Sequence, residues 1–209
     1  MHKAGFVNIV GNPNVGKSTL MNSLVGEKLS IITSKAQTTR HRILGIVNGE
    51  KFQLVLSDTP GVIKPSYELQ SSMMDFVKTA IDDADILIYM IEIGESSLKD
   101  ENLFNKIKSS SIPVILLINK IDLSNQEELE NQVDEWKTKL PNAEIFPISA
   151  LKKFQVDNLL QRLIELLPEC PPYFPKDQLT DKPERFFVNE IIREKILINY
   201  NKEIPYSVE

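Results

Sequence analysis

Cysteine and histidine are scarce in this sequence, which has only Cys170, His2 and His41 among its 209 residues. A single cysteine excludes an internal disulfide, and three residues of these types are too few for the usual structural zinc site. The fold must therefore depend on a packed core, and the cysteine usage favours a reducing compartment.

Long apolar runs are also missing. The longest ones, such as residues 86–91, stop far short of the roughly 20 residues that a membrane-spanning helix needs. The first residues show no basic-then-apolar leader. We expect a soluble, cytoplasmic chain, and the sequence leaves peripheral contact with a membrane open.

Positive charge is in short supply, with 24 Lys and Arg against 29 Asp and Glu and a net charge of -5. This balance gives no electrostatic reason for the whole chain to bind nucleic acid, so any such role must be local. The chain is 42% hydrophobic and 25% charged, which is typical of globular proteins. Its length suits one α/β domain with a small appendage.

Apolar, β-branched segments of strand length alternate with helix-length segments through most of the chain. The expected strands are residues 6–10, 43–47, 52–56, 86–91, 114–118 and 145–148, and the expected helices are 17–24, 69–82, 100–109, 126–140 and 156–167. Four of the strands are almost continuously apolar, as in a parallel sheet covered on both faces. Asn48 and Gly49 favour a tight hairpin. The pattern predicts an α/β doubly wound fold, mostly parallel with one antiparallel edge strand.

Residues 11–18 read Gly-Asn-Pro-Asn-Val-Gly-Lys-Ser, the spacing of a phosphate-binding P-loop between a strand and a helix. The glycines let the backbone wrap closely around phosphates, and the N-terminus of the helix directs N–H groups at them. Lys17 bridges the outer phosphates, and Ser18 supplies a hydroxyl to Mg²⁺. We assign the phosphates of a nucleotide to Gly11, Asn12, Pro13, Asn14, Val15, Gly16, Lys17, Ser18 and Thr19.

A second motif, Asp58, Thr59, Pro60 and Gly61, follows the strand expected at 52–56. A carboxylate at this edge of the sheet can hold Mg²⁺ through a water. Gly61 lets its backbone N–H approach a terminal phosphate. Alone, the stretch is an ordinary turn, but its position after the P-loop favours the metal-binding interpretation.

A third motif, Asn119-Lys120-Ile121-Asp122, identifies the base. The Asp122 carboxylate can accept hydrogen bonds from N1–H and the exocyclic amine of guanine, donors that adenine lacks at those positions. Adenine would leave a desolvated charge unpaired, at a cost of about 1.5–3 kcal/mol for each lost hydrogen bond. The motif predicts GTP and GDP rather than ATP, with the Lys120 stem against the base and Asn119 tied to the P-loop.

Ser149, Ala150 and Leu151 follow the strand expected at 145–148, and the backbone N–H of Ala150 fits a contact to guanine O6. All four loops therefore lie at the carboxyl ends of expected strands, where ligands bind in open α/β sheets. With these motifs, residues 5–167 resemble the translation-factor class of P-loop GTPases. The resemblance implies Mg²⁺-dependent hydrolysis of GTP.

The resemblance also implies a mobile segment, residues 31–42, that supplies a threonine to the metal in the GTP state. The family pattern puts this ligand at Thr39, with Thr38 as the alternative. The implied metal ligands are Ser18, Thr39 and Asp58. The implied catalytic residues are Lys17, Thr39, Gly61 and Asn14.

Two features of catalysis differ among such GTPases. Val62 stands where many of them carry the glutamine that orients the attacking water, so the group that positions the water cannot be read from the sequence. In related GTPases an asparagine at the place of Asn14 helps to bind K⁺, and the resemblance implies the same here.

Residues 36–42, a proline-rich connector and residues 185–195 together resemble the Era family of bacterial GTPases. In that family a C-terminal KH domain binds RNA, and the protein acts on 16S rRNA during assembly of the 30S ribosomal subunit and associates peripherally with the inner membrane. The resemblance implies a GTPase domain at 1–167, a linker at 168–183 and the first part of a KH domain at 184–209, with 204–209 entering its first strand.

The KH part departs from the family pattern. A KH domain clamps RNA with a Gly-x-x-Gly loop, and no such loop occurs after residue 167. We therefore expect a truncated chain that keeps the nucleotide chemistry and lacks most of the RNA affinity. The helix at 185–200 would expose an apolar face, so it folds back on the GTPase domain, pairs with another copy or frays.

Several other interpretations stay open. Val62 is compatible with a nucleotide-binding scaffold whose hydrolysis is vestigial, and an ATP-driven enzyme can have the same fold. Another ribosomal or tRNA-modifying GTPase would share the motifs but not the resemblance at 185–195. His41, between Arg40 and Arg42, fits a solvated loop better than a catalytic or RNA-binding patch.

Overall fold

The computed structural model describes residues 1–35 and 37–200. A six-stranded sheet carries helices on both faces. The strands are β1 (Lys3–Val10), β2 (Ile43–Asn48), β3 (Phe52–Asp58), β4 (Ile86–Glu92), β5 (Val114–Asn119) and β6 (Glu144–Pro147). The α-helices are α1 (Lys17–Val25), α2 (Glu68–Asp82), α3 (Glu101–Lys108), α4 (Gln126–Lys139), α5 (Val156–Leu166) and α6 (Glu184–Asn199). The predicted fold class is confirmed.

The strand order is β2-β3-β1-β4-β5-β6, and every neighbouring pair is parallel except β2 and β3. In that antiparallel pair Asn48 lies opposite Gln53, and Gly49 donates its backbone N–H to the Phe52 carbonyl at 2.9 Å. The predicted hairpin and its position at the edge of the sheet are therefore confirmed.

Two apolar cores lie on opposite faces of the sheet. One packs α1 and α5 against it, with α5 contributing Leu159 and Leu163. The other packs α2, α3 and α4 against it, with Trp136 of α4 fully buried. Burial on both faces explains why the central strands are apolar at almost every position.

Several strands are longer than the sequence predicts. β1 begins at Lys3 rather than at residue 6, because Lys3 still pairs with Phe52 although it is not apolar. β3 runs to Asp58, which pairs with Ile9 and Ile43. Asp58 is thus the last residue of a strand, where the rigid sheet fixes its backbone.

The segment 168–183 lies along the sheet. The buried Gln53 side chain accepts from the backbone N–H groups of Tyr173 and Phe174 at 2.7 and 2.9 Å and donates to the Phe174 carbonyl at 2.8 Å. The backbone N–H of Ile46 donates to the Leu179 carbonyl at 2.8 Å. The segment therefore covers the exposed edge of β2, as edge strands commonly require.

Helix α6 packs back on the nucleotide-binding part of the chain, one of the three outcomes left open above. It buries Glu190, Arg193, Glu194 and Leu197 and leaves an apolar group exposed, namely Val188, Ile191, Ile192 and Ile198. Ala36 and the expected KH strand at 204–209 lie outside the described residues. Within residues 1–35 and 37–200, no helix is long and apolar enough to cross a membrane.

Candidate nucleotide-binding site

A cavity of about 560 Å³ opens at the carboxyl edge of the sheet. Its walls come from residues within 13–19, 31–34, 37–39, 59–61, 119–123 and 149–151. The four loops that the sequence predicted, together with the expected mobile segment, thus meet around one space. The cavity is large enough for a nucleotide.

The P-loop connects β1 to α1 through an unusual backbone path. Asn14 and Gly16 both have positive φ, 65° and 105°. A Cβ at Gly16 would lie 2.3 Å from the Asn119 amide nitrogen, so only glycine fits both the conformation and the space. Helix α1 begins at the next residue, Lys17, so its free N-terminal amides are available to an anion.

Lys17 is held in place before any phosphate arrives. Its ammonium donates to the backbone carbonyls of Gly11 and Asn12 at 3.1 and 2.8 Å and is 6% exposed. Burial lowers the pKa of Lys17 to about 8, although the charges of Asp58 and Glu95 oppose this shift. A phosphate beside the ammonium would compensate the desolvated charge.

Three side-chain oxygens converge at the other side of the P-loop. Ser18 Oγ donates to Asp58 Oδ2 at 2.7 Å and lies 3.0 Å from Thr39 Oγ1. Asp58 is fully buried, and its Oδ1 lacks a well-formed hydrogen bond within the described part of the chain. Burial raises the pKa of Asp58, while the hydrogen bond from Ser18 and the charge of Lys17 oppose the rise.

These oxygens fit a magnesium ion, which prefers hard oxygen ligands and keeps several waters. The buried Asp58 carboxylate, whose Oδ2 contacts Ser18, supplies negative charge that favours a cation in the same place. Thr39 rather than Thr38 lies beside Ser18, because the Thr38 hydroxyl is 2.6 Å from Thr33 Oγ1 and donates to the Lys35 carbonyl at 2.7 Å. The assignment of metal ligands stays a prediction.

The second motif packs directly on the P-loop. The Thr59 hydroxyl donates to the Ile9 carbonyl at 2.6 Å, and a Cβ at Gly61 would lie 2.6 Å from Pro13 Cα. Val62 donates its backbone N–H to the Gly11 carbonyl at 3.0 Å, and its side chain is buried in the core. Residue 62 therefore offers no side chain that could orient water in the cavity.

Asn119 links the base-binding loops to the P-loop. Its side-chain amide donates to the Val15 carbonyl at 2.7 Å, as predicted, and its Oδ1 accepts from the Ala150 N–H at 2.9 Å. The Ala150 N–H, expected to reach guanine O6, is therefore already engaged by Asn119. Its contact to the base stays a prediction that requires sharing or exchange of this hydrogen bond.

Asp122 lies in a short 3-10 helix, Ile121–Leu123, directly after β5. Its Oδ1 accepts from the Ser149 hydroxyl at 2.6 Å, which orients the carboxylate. The Lys120 ammonium pairs with Glu92, so the aliphatic stem rather than the charge is available to the base. Leu151 lines the same end of the cavity and is 75% exposed.

Asn14, the predicted K⁺ ligand, donates its side-chain amide to the Ser34 carbonyl at 3.0 Å. It therefore connects the P-loop to the segment 31–42. Its role with K⁺ stays a prediction.

The two arginines of the segment 31–42 are held within the protein. Arg40 is 4% exposed, and the Arg42 guanidinium bonds Asp83, Ser57 and Asn8. His41 is exposed, with its ring 5.9 Å from that of Phe186 and 6.4 Å from that of Phe76.

The sequence interpretation missed one structural role in the P-loop. The Asn12 side chain donates to Glu95 and, at 2.9 Å, to the Ser97 carbonyl, and it accepts from the Lys99 N–H at 3.1 Å. Asn12 thus fastens the P-loop to the chain after β4. Nothing local in the sequence signals this contact, because its partners are more than 80 residues away.

Comparisons with known proteins agree with this geometry. The family model described as "50S ribosome-binding GTPase" matches residues 6–120. GTPase Era of Clostridium kluyveri is 42% identical over 212 aligned positions, which cover 100% of this chain and 71% of that protein.

Two solved structures are similar over almost the entire chain. Era in complex with MgGDPNP and nucleotides 1506–1542 of 16S ribosomal RNA superposes with a TM-score of 0.93 at 42% identity, over 99% of this chain and 71% of that one. An Era variant of Aquifex aeolicus bound to GDP.AlF4- gives a TM-score of 0.92 at 43% identity, over 98% and 70%. The similarity extends beyond the nucleotide-binding loops to the later segments of the chain.

Proposed function

The chain belongs to the Era family of GTPases, and we propose that it is a GTP/GDP switch that acts on 16S rRNA during assembly of the 30S ribosomal subunit. The observation that carries the nucleotide part is the convergence of Asp122, Lys17, Ser18 and Thr39 on one cavity, with Asp58 hydrogen-bonded to Ser18 at its wall. Membership of this family also argues against an ATP-driven enzyme.

The two ends of the cavity recognise different parts of the nucleotide. At one end Asp122, oriented by Ser149, accepts hydrogen bonds from the guanine edge. At the other end Lys17 and the first amides of α1 compensate the charge of the phosphates. The backbone of Gly61 is close enough to Pro13 of the P-loop to face the same phosphates.

Ser18, Thr39 and Asp58 would hold the magnesium ion of the nucleotide. When bound, this ion neutralises the developing charge on the phosphate oxygens. The three residues position those oxygens, and Lys17 stabilises the same charge from the other side. Because Val62 points into the core, the attacking water depends on backbone groups or on a partner, and unassisted turnover should be slow, on the order of 10⁻⁴ to 10⁻² s⁻¹.

We include K⁺ in the proposal. Asn14 bridges the P-loop and the Ser34 carbonyl, so a monovalent cation there would lie beside the phosphates and favour the transition-state charge. Hydrolysis rates in KCl and NaCl of equal concentration test this, with Asn14→Ala as the variant. Equal rates in both salts, and an Asn14→Ala rate equal to that of the wild type, would remove K⁺ from the account.

The ribosomal part of the proposal is supported by the similar Era structure that contains a 16S rRNA segment. The net charge of -5 argues that any RNA contact is local. Binding of an RNA that spans nucleotides 1506–1542 should be weak but stronger than binding of a scrambled RNA of equal length. Indistinguishable binding of the two RNAs would contradict an RNA role for this chain.

The location also belongs to the proposal. We propose a cytoplasmic protein with peripheral contact with the inner membrane, which rests on the family resemblance. Co-sedimentation with anionic phospholipid vesicles tests the contact, and recovery of all protein in the supernatant would contradict it.

Single-turnover release of phosphate from GTP tests the enzymatic proposal directly. The wild type should release one phosphate per bound GTP, and Lys17→Ala should abolish release by removing the charge that bridges the outer phosphates. Bound GTP that stays intact over hours would instead indicate a nucleotide-binding scaffold.

A further inference from the structure

We propose that Arg193 of helix α6 is a positioning residue for Thr39, because it fixes the peptide that carries this threonine at the metal site. The inference rests on the proposed function, since it assumes that GTP binds with magnesium. It assigns a role in forming the GTP state to a residue that lies more than 150 positions after Thr39 in the sequence.

Thr39 is the least constrained of the three converging oxygens. Ser18 belongs to helix α1 and Asp58 is the last residue of strand β3, so regular structure fixes both. Thr39 lies in residues 31–42, whose described part contains no helix or strand. A contact from outside the loop is therefore needed to hold the Thr39 hydroxyl 3.0 Å from Ser18 Oγ.

Arg193 provides this contact at the peptide bond that joins Thr38 to Thr39. Its Nη2 donates to the Thr38 carbonyl oxygen at 2.6 Å. The Thr38 carbonyl and the Thr39 nitrogen and Cα belong to one planar peptide unit. Holding the oxygen of that unit therefore restricts the position of the Thr39 Cα and, with it, the space that the Thr39 side chain can reach.

Arg193 is itself rigid. Its Nε and Nη2 donate to the two carboxylate oxygens of Glu190 at 2.8 and 2.6 Å, and the two side chains are 4% and 9% exposed. This fork geometry is available to arginine and not to lysine. Glu190 thus compensates the buried charge, and Nη2 also donates to the loop.

Helix α6 also holds the beginning of the loop. The Glu194 carboxylate accepts from the Ile32 N–H at 3.4 Å and pairs with the Lys28 ammonium at 2.8 Å. Consecutive residues of one helix therefore contact both ends of the segment that carries Thr39. Because Thr39 is needed only when a third phosphate and its magnesium are present, loss of Arg193 should weaken GTP binding selectively.

The test is a double-mutant cycle between Arg193→Met and Thr39→Ala, with Arg185→Met as the matched control. Arg185 is an exposed arginine of the same helix, so its replacement removes the same charge without touching the loop. Dissociation constants are measured for GDPNP and GDP in Mg²⁺. We expect Arg193→Met to weaken GDPNP about tenfold or more, the loss typical of a hydrogen bond to a charged group. GDP binding should change less than about twofold, and Arg185→Met should match the wild type.

The cycle distinguishes positioning from a general structural role. If Arg193 acts through Thr39, adding Arg193→Met to Thr39→Ala should weaken GDPNP by less than about twofold further. Fully additive effects, or equal losses for GDP and GDPNP, would overturn the inference. If the wild type binds neither nucleotide, the proposed function fails instead.

Removal of Arg193 leaves Glu190 buried and unpaired, which can prevent folding. The pair Glu190→Gln with Arg193→Met removes both charges and keeps the test valid. In the nucleotide-free protein, trypsin should cleave this variant after Lys35 faster than it cleaves Arg185→Met. Equal cleavage rates, with GDPNP affinity unchanged, would overturn the inference in this form as well.

Discussion

At the scale of single residues, the choice of base depends on the Asp122 carboxylate. It is a short side chain at the end of a buried strand, and the Ser149 hydroxyl already occupies one of its lone pairs in a fixed direction. The remaining lone pairs can only accept, and guanine offers two donors in the required arrangement.

Replacing Asp122 with asparagine should change the preferred base. The amide keeps the shape but donates where the carboxylate accepts, so it suits the C2 carbonyl of xanthine. We expect GDP affinity to fall about tenfold or more and XDP affinity to rise above it. Competition binding measures both, and Asp157→Asn, at an exposed position of α5, is the control. Unchanged GDP preference in Asp122→Asn would contradict this role of Asp122.

The lowered pKa of Lys17 predicts that nucleotide binding depends on pH. Its pKa is lowered to about 8 in the empty site, and a neighbouring phosphate favours the charged form, so binding takes up a proton above that pH. GDP affinity should therefore fall as the pH rises above about 8, by up to about tenfold per pH unit. Below about 7 the ammonium is charged in both states, and this contribution to the slope disappears.

Titrations at several pH values check this prediction. Lys17→Met is the control, because it retains the titration of the base and loses that of the ammonium. A wild-type slope equal to that of Lys17→Met would show that Lys17 does not titrate in this range.

At this scale the sequence predicts a contact when both of its residues belong to recognised motifs. Asn119 was expected to reach the P-loop and does so at Val15. The contacts that Asn12 and Arg193 make were not identified, since their partners are distant in sequence. A glutamate three residues before Arg193 was a visible signal of an ion pair on one helix face, but nothing in it indicated Thr38 as the third partner.

At the scale of elements, the sheet and its helices follow closely from apolar periodicity. The sequence predicts all six strands, and its apolar signal is continuous where a strand is buried on both faces, as in β4 and β5. The errors lie at strand ends such as Lys3 and Asp58, where pairing continues beyond the apolar run. Hydrogen-bond register decides these ends, and it depends on neighbouring strands rather than on the segment itself.

The segment 168–183 shows a second limit. Its prolines predict an extended connector, but they do not indicate where it lies. One buried side chain, Gln53, makes three hydrogen bonds to the backbone of this segment and a fourth, at 2.8 Å, to the Asn48 side chain. A polar residue within an otherwise apolar strand was the available signal.

Gln53→Leu should release this segment. The variant leaves part-buried backbone groups of Tyr173 and Phe174 without partners, so the free energy of unfolding should fall by about 2 kcal/mol. Urea denaturation measures this. GDP affinity should stay close to the wild-type value, because Gln53 lies far from the cavity lining.

The matched control is Gln126→Leu, an exposed glutamine of α4 that bonds only its helical neighbour Glu130 among the described residues. It should cost no more than about 0.5 kcal/mol. Equal effects of the two variants would show that the contacts of Gln53 do not hold the segment.

At the scale of the whole molecule, one cavity joins parts of the chain with different tasks. The rigid sheet supplies Asp58 and Asn119, while the loop 31–42 supplies Thr39. Helix α6 and the segment before it pack on that same framework. A change in the occupancy of the phosphate end therefore has a direct structural path to the last described helix.

Calorimetric titration with GDP, GDPNP and ADP, each in Mg²⁺ and in EDTA, tests the central claim most directly. The account predicts one site for GDP and GDPNP, ADP binding weaker by about 100-fold or more, and a loss of GDPNP affinity in EDTA. Equal binding of ADP, or GDPNP binding that does not respond to EDTA, would contradict it.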